Sequence, residues 1–126
     1  MAKLIRSSTQ TGRILLVDDE VMVRKAIRLI LAFGGFHVVE AEDGEDAVQK
    51  YRDASPPFDL VLIDMDMPRM SGVEALAQIR KFDPNARAIL LSGGFPGHTL
   101  EKTNFLQKPF ENQQLIGLVR ETLAAP

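Results

Sequence analysis

The chain contains no cysteine, which excludes a disulfide scaffold, a thiolate zinc site and a cysteine nucleophile together. It has no excess of positive charge. Fifteen Lys and Arg stand against seventeen Asp and Glu for a formal −2, so composition points to neither nucleic acid nor an anionic membrane as partner. No apolar run approaches the length of a membrane span, and Met1–Gly12 lacks the apolar stretch of a secretory signal. There is no internal repeat and no low-complexity segment. The only two histidines, His37 and His98, are distant in sequence, which gives a histidine metal site no support. A soluble, cytoplasmic protein is the expectation these absences leave.

What is present is an ordinary globular balance, 126 residues with 45% hydrophobic and 25% charged, the size of one domain. Charge is unevenly placed: Lys3, Arg6 and Arg13 are the only charges in the first thirteen positions, and removing that +3 from −2 leaves −5 for the rest. Met1–Gly12 reads as a flexible polar leader and residues 13–126 as the domain. The five acids between Glu40 and Asp46 read as a solvated surface run.

Ile14–Val17 is a short apolar run that stops at Asp18-Asp19-Glu20, as expected of a strand buried on both faces of a parallel sheet. Met22, Ala26, Leu29, Ile30 and Phe33 recur at helical spacing up to Gly34-Gly35. Phe36–Glu40 reads as a second strand, and Gly44 opens a helix with Ala47, Val48, Tyr51 and Ala54 on one face. Asp59–Ile63 is a third strand ending at Asp64. Ser71 and Glu74 form a capping box for a helix carrying Val73, Leu76, Ile79 and Phe82. Ala88–Leu91 is a fourth strand ending at Ser92, Phe105–Gln107 a fifth ending at Lys108, and Glu111–Leu123 a closing helix. The alternation predicts an α/β fold, a flavodoxin-like doubly wound five-stranded parallel sheet of order 2-1-3-4-5 with helices on both faces. Gly93–Asn104 is short for a crossover, so the fourth helix is expected to be shortened to a turn or two around Leu100–Lys102.

Polar residues fall where the strands end. In an open parallel sheet, ligands bind beyond the carboxyl ends of the strands, where the winding reverses. The first and third strands meet there, which brings Asp18, Asp19 and Asp64 into one pocket. Carboxylates that close disfavour one another's charge. A hard divalent cation relieves the conflict, and an oxygen-only ligand set suits Mg²⁺. Lys108 adds a point charge suited to a phosphoryl oxygen and Ser92 a hydroxyl, an ensemble suited to placing a phosphoryl group on a carboxylate. Singly, each residue has a plainer explanation: Asp18-Asp19 as a helix cap, Asp64 as a turn residue before Pro68, Ser92 as a cap, Lys108 as a solvated end. Jointly, four accidents on one sheet edge are needed.

Over about Arg13–Leu123, the stretches ILLVDDE (14–20), DLVLIDMDMPRMSG (59–72), AILLSG (88–93) and FLQKPF (105–110) resemble the receiver domain of two-component response regulators. The resemblance implies Asp64 as phosphoacceptor, Asp19 as direct Mg²⁺ ligand with Asp18 supporting it, and the backbone carbonyl of Asp66 as a further ligand. It implies Ser92 as the switch hydroxyl, Phe105 as the aromatic that follows it, Lys108 as the phosphoryl partner, and a cis bond between Lys108 and Pro109. It further implies transfer from the phosphohistidine of a sensor histidine kinase or histidine phosphotransfer protein, a conformational switch read by a downstream protein, and reset by hydrolysis. Such a receiver phosphorylates and dephosphorylates itself; it is not a turnover enzyme on an external substrate. Arg24, Lys25 and Arg28 read as a solvated stripe on the first helix, the helix that often meets the kinase in this family.

Two departures stand out. Asp66 places a fourth carboxylate where many receivers carry a neutral side chain, either helping to hold metal or orient water, or repelling the phosphoryl group. With Gly94 leaving the approach to Asp64 open, it is expected to tune the dephosphorylation rate. The Ser92–Lys108 segment is also shorter than in common receivers by about six residues, nearly two helical turns. That argues against the usual dimer face, giving a monomer or weak dimer, and the Ser-Gly-Gly-Phe pattern resembles receivers of hybrid sensor kinases. Two rivals are a haloacid-dehalogenase-like Mg²⁺-dependent phosphatase using Asp64-x-Asp66, whose motifs run in a different chain order, and a pseudo-receiver acting as a docking scaffold.

Overall fold

A computed structural model describes residues 12–94 and 100–125. The elements are β1 (Arg13–Val17), α1 (Val21–Phe33), β2 (His37–Ala41), α2 (Gly44–Asp53), β3 (Leu60–Asp64), α3 (Gly72–Phe82), β4 (Ala88–Ser92), β5 (Thr103–Gln107) and α4 (Asn112–Ala124). All five strands are parallel, in the order β2-β1-β3-β4-β5, the doubly wound order expected. Gly12 is buried, and its carbonyl accepts from His37 N at 3.1 Å. The remaining leader residues, 1–11, lie outside the described residues.

The central strands β1, β3 and β4 carry apolar residues at successive positions because both sheet faces are covered. Leu15, Val17, Val61, Ile63, Ala88 and Leu90 point to one face and pack with Ala47, Val48 and Tyr51 of α2 and Ala75, Leu76 and Ile79 of α3. Ile14, Leu16, Leu60, Leu62, Ile89 and Leu91 point to the other and pack with Ile27 and Leu31 of α1 and Leu115 and Val119 of α4. The period-two alternation of the strands thus divides one apolar run between two cores.

Local chemistry sets the helix starts. Asp43 accepts from Asp46 N at 2.8 Å at the head of α2. In α3 the Ser71–Glu74 capping box is closed in both directions, at 2.9 and 3.1 Å, satisfying donors the helix cannot satisfy itself. Gly35, at φ 92°, takes the left-handed conformation that turns the chain out of α1 into β2. Between β4 and β5, the helical turn expected near Leu100–Lys102 is a plain turn at Glu101–Lys102, leading directly into β5; residues 95–99 lie outside the described residues.

One helix face differs from expectation. The buried stripe of α1 is Ile27 and Leu31, with Val23 and Ile30 packed beside them, whereas Met22, Leu29 and Phe33 are 79%, 63% and 93% exposed. Two apolar stripes share this helix, each at helical spacing. Periodicity alone cannot say which one meets the sheet.

Candidate functional site

The carboxyl ends of β1 and β3 lie side by side, with Val17 opposite Ile63, so the residues that follow face one another. Carboxylate oxygens of Asp18, Asp19 and Asp64 all lie within 4.8 Å of one another. Asp18 is fully buried and Asp64 is 2% exposed, while Asp19 is open to solvent. Lys108 follows β5 and brings its Nζ to 3.4 Å from Asp64 Oδ1. The Lys108–Pro109 bond is cis, as is Ser55–Pro56, and Lys108 N donates to Ser92 O at 2.7 Å, tying the ends of β4 and β5 together.

The helix-cap explanation of Asp18 and Asp19 does not describe the geometry, whereas Asp64 does take a turn bond, from Asp66 N to its Oδ1 at 3.1 Å, and is clustered with the other two carboxylates as well. Residue Glu20, not Asp18 or Asp19, stands at the N-cap of α1, and no side chain caps it. Asp18 instead turns one oxygen, Oδ1, onto Glu20 N at 2.9 Å. Its other oxygen, Oδ2, is buried with no hydrogen-bond partner among the described residues. An orphaned carboxylate oxygen is costly, and burial pushes the Asp18 carboxyl above its ordinary value. The neighbouring charges of Asp64 and Asp19 add to the rise, against the opposing pull of the Glu20 amide and Lys108. An orphaned oxygen inside an all-oxygen donor set is what a hard divalent cation fits.

The other predicted site residues take the following places. Asp66 is exposed; its backbone N donates to Asp64 Oδ1 at 3.1 Å, and its side chain is not among the clustered carboxylates. Ser92 is buried at the end of β4, its Oγ accepting from Gly94 N at 3.1 Å. Phe105 sits opposite Leu90 on β5 and packs against the core shared with α2 and α3. A Cβ built on Gly94 meets nothing within 4 Å among the described residues.

Two features at the site were not legible in the sequence. Gly72 N donates to Met65 O at 3.2 Å, and a Cβ at Gly72 would fall 2.6 Å from the carbonyl oxygen of Asp64; α3 can begin this close to the acceptor only without a side chain. Its signal was the glycine directly after the capping serine. The second is the basic stripe. Arg24, Lys25 and Arg28 all converge on Glu40, at 2.8, 2.9 and 3.0 Å, with Arg24 largely buried and Lys25 and Arg28 half exposed, so Glu40 is no part of a solvated acidic run. Burial works to raise the Glu40 carboxyl, but hydrogen bonds and charge from Lys25 and Arg24 outweigh it and hold the group below its ordinary value.

Comparison with known proteins agrees with the site. Residues 14–120 match the family described as the response regulator receiver domain. Chemotaxis protein CheY of Bacillus subtilis is 40% identical over 118 residues, covering 88% of this chain and 97% of that protein. Among solved structures, the CheX–CheY–BeF3–Mg complex from Borrelia burgdorferi is similar with a TM-score of 0.82 at 31% identity, covering 90% of each chain. The receiver domain of the hybrid histidine kinase CckA is similar with a TM-score of 0.76 at 33% identity, covering 89% of this chain and 99% of that one. Sheet order, clustered acids and matched residues lead to one conclusion: the chain belongs to the response regulator receiver family and is a receiver domain of two-component signalling.

Proposed function

We propose that this receiver takes a phosphoryl group onto Asp64 from the phosphohistidine of a partner histidine kinase or histidine phosphotransfer protein, with Mg²⁺ as cofactor. The observation that carries the reading is the pairing of a nearly buried carboxylate, Asp64, with Lys108 Nζ at 3.4 Å, beside two further carboxylates. Asp18, Asp19 and Asp64, with the backbone carbonyl of Asp66, are the groups that would hold Mg²⁺. When bound, the ion supplies positive charge against the phosphoryl oxygens.

An Asp64 oxygen attacks phosphorus, the P–N bond to the donor imidazole breaks, and the neutral imidazole departs after protonation. Lys108 shifts its ion pair from the Asp64 carboxylate to a phosphoryl oxygen, placing a positive charge where negative charge collects. Ser92 Oγ gives up its bond from Gly94 N and turns toward the phosphoryl group, and Phe105 follows it in the neighbouring strand. Both alter the packing at the ends of β4 and β5. In the reset, water attacks phosphorus, the bond to Asp64 breaks, inorganic phosphate leaves and the carboxylate returns. Asp66, exposed beside the acceptor, and Gly94, which leaves the approach open, set the rate of that step. The chain acts on itself and turns over no external substrate.

The donor protein docks on the exposed apolar stripe of α1. Met22, Leu29 and Phe33 stand exposed along the helix, and Leu29 and Phe33 line a groove of about 800 Å³ together with Ile30, Ile116 and Arg120. Incubation with Mg²⁺ and acetyl phosphate, followed by intact-mass measurement, tests the reading. A labile phosphoryl adduct on the native chain, absent from Asp64→Asn and from chelator-treated protein, is the expected result. An unmodified mass under every donor condition, or steady hydrolysis of a phosphate monoester, overturns it in favour of a scaffold or a phosphatase.

A further inference from the structure

The Asp18–Glu20 turn carries two of the three clustered carboxylates, yet little of the regular structure holds it. Its strand-side bond, from Asp18 N to Ala41 O, is long at 3.3 Å, and the helix that follows has no side-chain cap. The turn is closed on itself by Glu20 N donating to Asp18 Oδ1 at 2.9 Å; the side chain that ties it to the neighbouring strand is that of Arg24. Its Nη1 donates to the backbone carbonyl of Asp18 at 2.6 Å, while its Nε donates to Glu40 Oε1 at 2.8 Å. The side chain is only 12% exposed. Glu40 is anchored on β2, and its other oxygen, Oε2, takes Lys25 and Arg28. A carboxylate fixed on the sheet therefore orients a planar guanidinium, and the guanidinium fixes the peptide unit from which Asp18 and Asp19 project.

We infer that Arg24, oriented by Glu40, is a positioning residue for the cation-binding carboxylates, acting through the Asp18 carbonyl. The inference rests on the phosphoacceptor reading, because Mg²⁺ is what those carboxylates would hold. Its sign separates it from simple electrostatics. Arg24 is itself a cation beside a cation site, so deleting it should tighten Mg²⁺ binding through charge alone. Only the loss of positioning weakens it.

The test is calorimetric titration of the full chain with Mg²⁺ alone, without a phosphodonor. Arg24→Ala is expected to weaken binding about tenfold or more, as loss of a group that orients metal ligands commonly does. Arg24→Lys keeps the charge, but a point donor cannot serve both acceptors, so it too is expected to weaken binding, and it decides the matter if Arg24→Ala fails to fold. Lys25→Ala and Arg28→Ala take the same kind of cation from Glu40 without touching Asp18, and are expected to stay within about twofold of the native chain. Unchanged or tighter binding in the Arg24 variants, or equal weakening in the Lys25 and Arg28 variants, overturns the positioning role. A native chain that takes up no Mg²⁺ overturns the phosphoacceptor reading itself, and does so before any variant is compared.

Discussion

Replacing Gly72 with alanine tests whether α3 is pressed against the phosphoacceptor strand. The added Cβ would lie 2.6 Å from the Asp64 carbonyl oxygen and 3.0 Å from Met65 Cα. Both are backbone atoms at the end of a central strand, and neither can swing aside as the tip of a side chain can. Ordinary contact begins near 3.4 Å, so α3 and the Asp64–Met65 peptide must separate by about 0.8 Å. Overpacking of this kind costs about 1–3 kcal/mol, and for a domain of this size that lowers the thermal midpoint by roughly 3–10 °C. Helix propensity pulls the other way: alanine is better than glycine by up to about 1 kcal/mol. Gly117, in the middle of α4 with nothing within 4 Å of a built Cβ, isolates that second effect. Gly117→Ala should gain up to about 1 kcal/mol. Urea and thermal unfolding of the two variants should therefore give opposite signs. Displacement of the Asp64 backbone should also slow phosphoryl uptake from acetyl phosphate, by up to about a hundredfold if the carboxylate moves with it. A Gly72→Ala protein as stable as the native chain, with the same uptake rate, would refute the reasoning.

Asp18→Asn removes a buried carboxyl whose ordinary value is raised on folding. The folded chain then holds the proton more tightly than the unfolded one, so ionisation opposes folding and stability falls as pH rises through the raised value. The metal-free variant should accordingly melt higher than the native chain at neutral pH. It should also lose the gain from Mg²⁺, which is about 2.7 kcal/mol at a hundredfold excess over Kd; a lower metal-free midpoint, or full retention of the Mg²⁺ gain, counts against this account. Glu40 shifts the other way, held below its ordinary value by Lys25 and Arg24 against the effect of burial. Its ion pairs stabilise the fold above the unfolded value and are lost as pH falls through the depressed one, so its carboxyl resonance should titrate below that of a free Glu and move upward in Lys25→Ala. Ser71→Ala opens the capping box of α3 and should cost about 1 kcal/mol in urea unfolding while sparing phosphoryl uptake.

Much of the fold was readable because the signals were local. Ile14–Val17 and Leu60–Ile63 announce buried strands by being apolar at every position, and Ser71 with Glu74 announces the start of α3 through a hydrogen-bonding pattern confined to four residues. The acids and Lys108 were readable for a related reason: parallel strands end on one edge, so a polar residue closing each strand is enough to gather them. The face of α1 was not readable. Met22, Leu29 and Phe33 form as regular a stripe as Ile27 and Leu31, and the choice between them depends on where the sheet lies, which no window of residues contains.

The chain's local chemistry by itself determined the order of strands and helices, the sheet edge at which Asp18, Asp19, Asp64 and Lys108 collect, and the turn that carries Asp66. Those follow from apolar periodicity and from parallel pairing. Only the tertiary structure decided that Asp18 keeps one oxygen without a partner, that Gly72 must lack a side chain, and that Arg24 reaches from Glu40 to the Asp18 carbonyl. Each of these depends on a distance that no local pattern encodes, between residues sixteen apart for Arg24 and Glu40, and such distances are settled by packing once the sheet has closed.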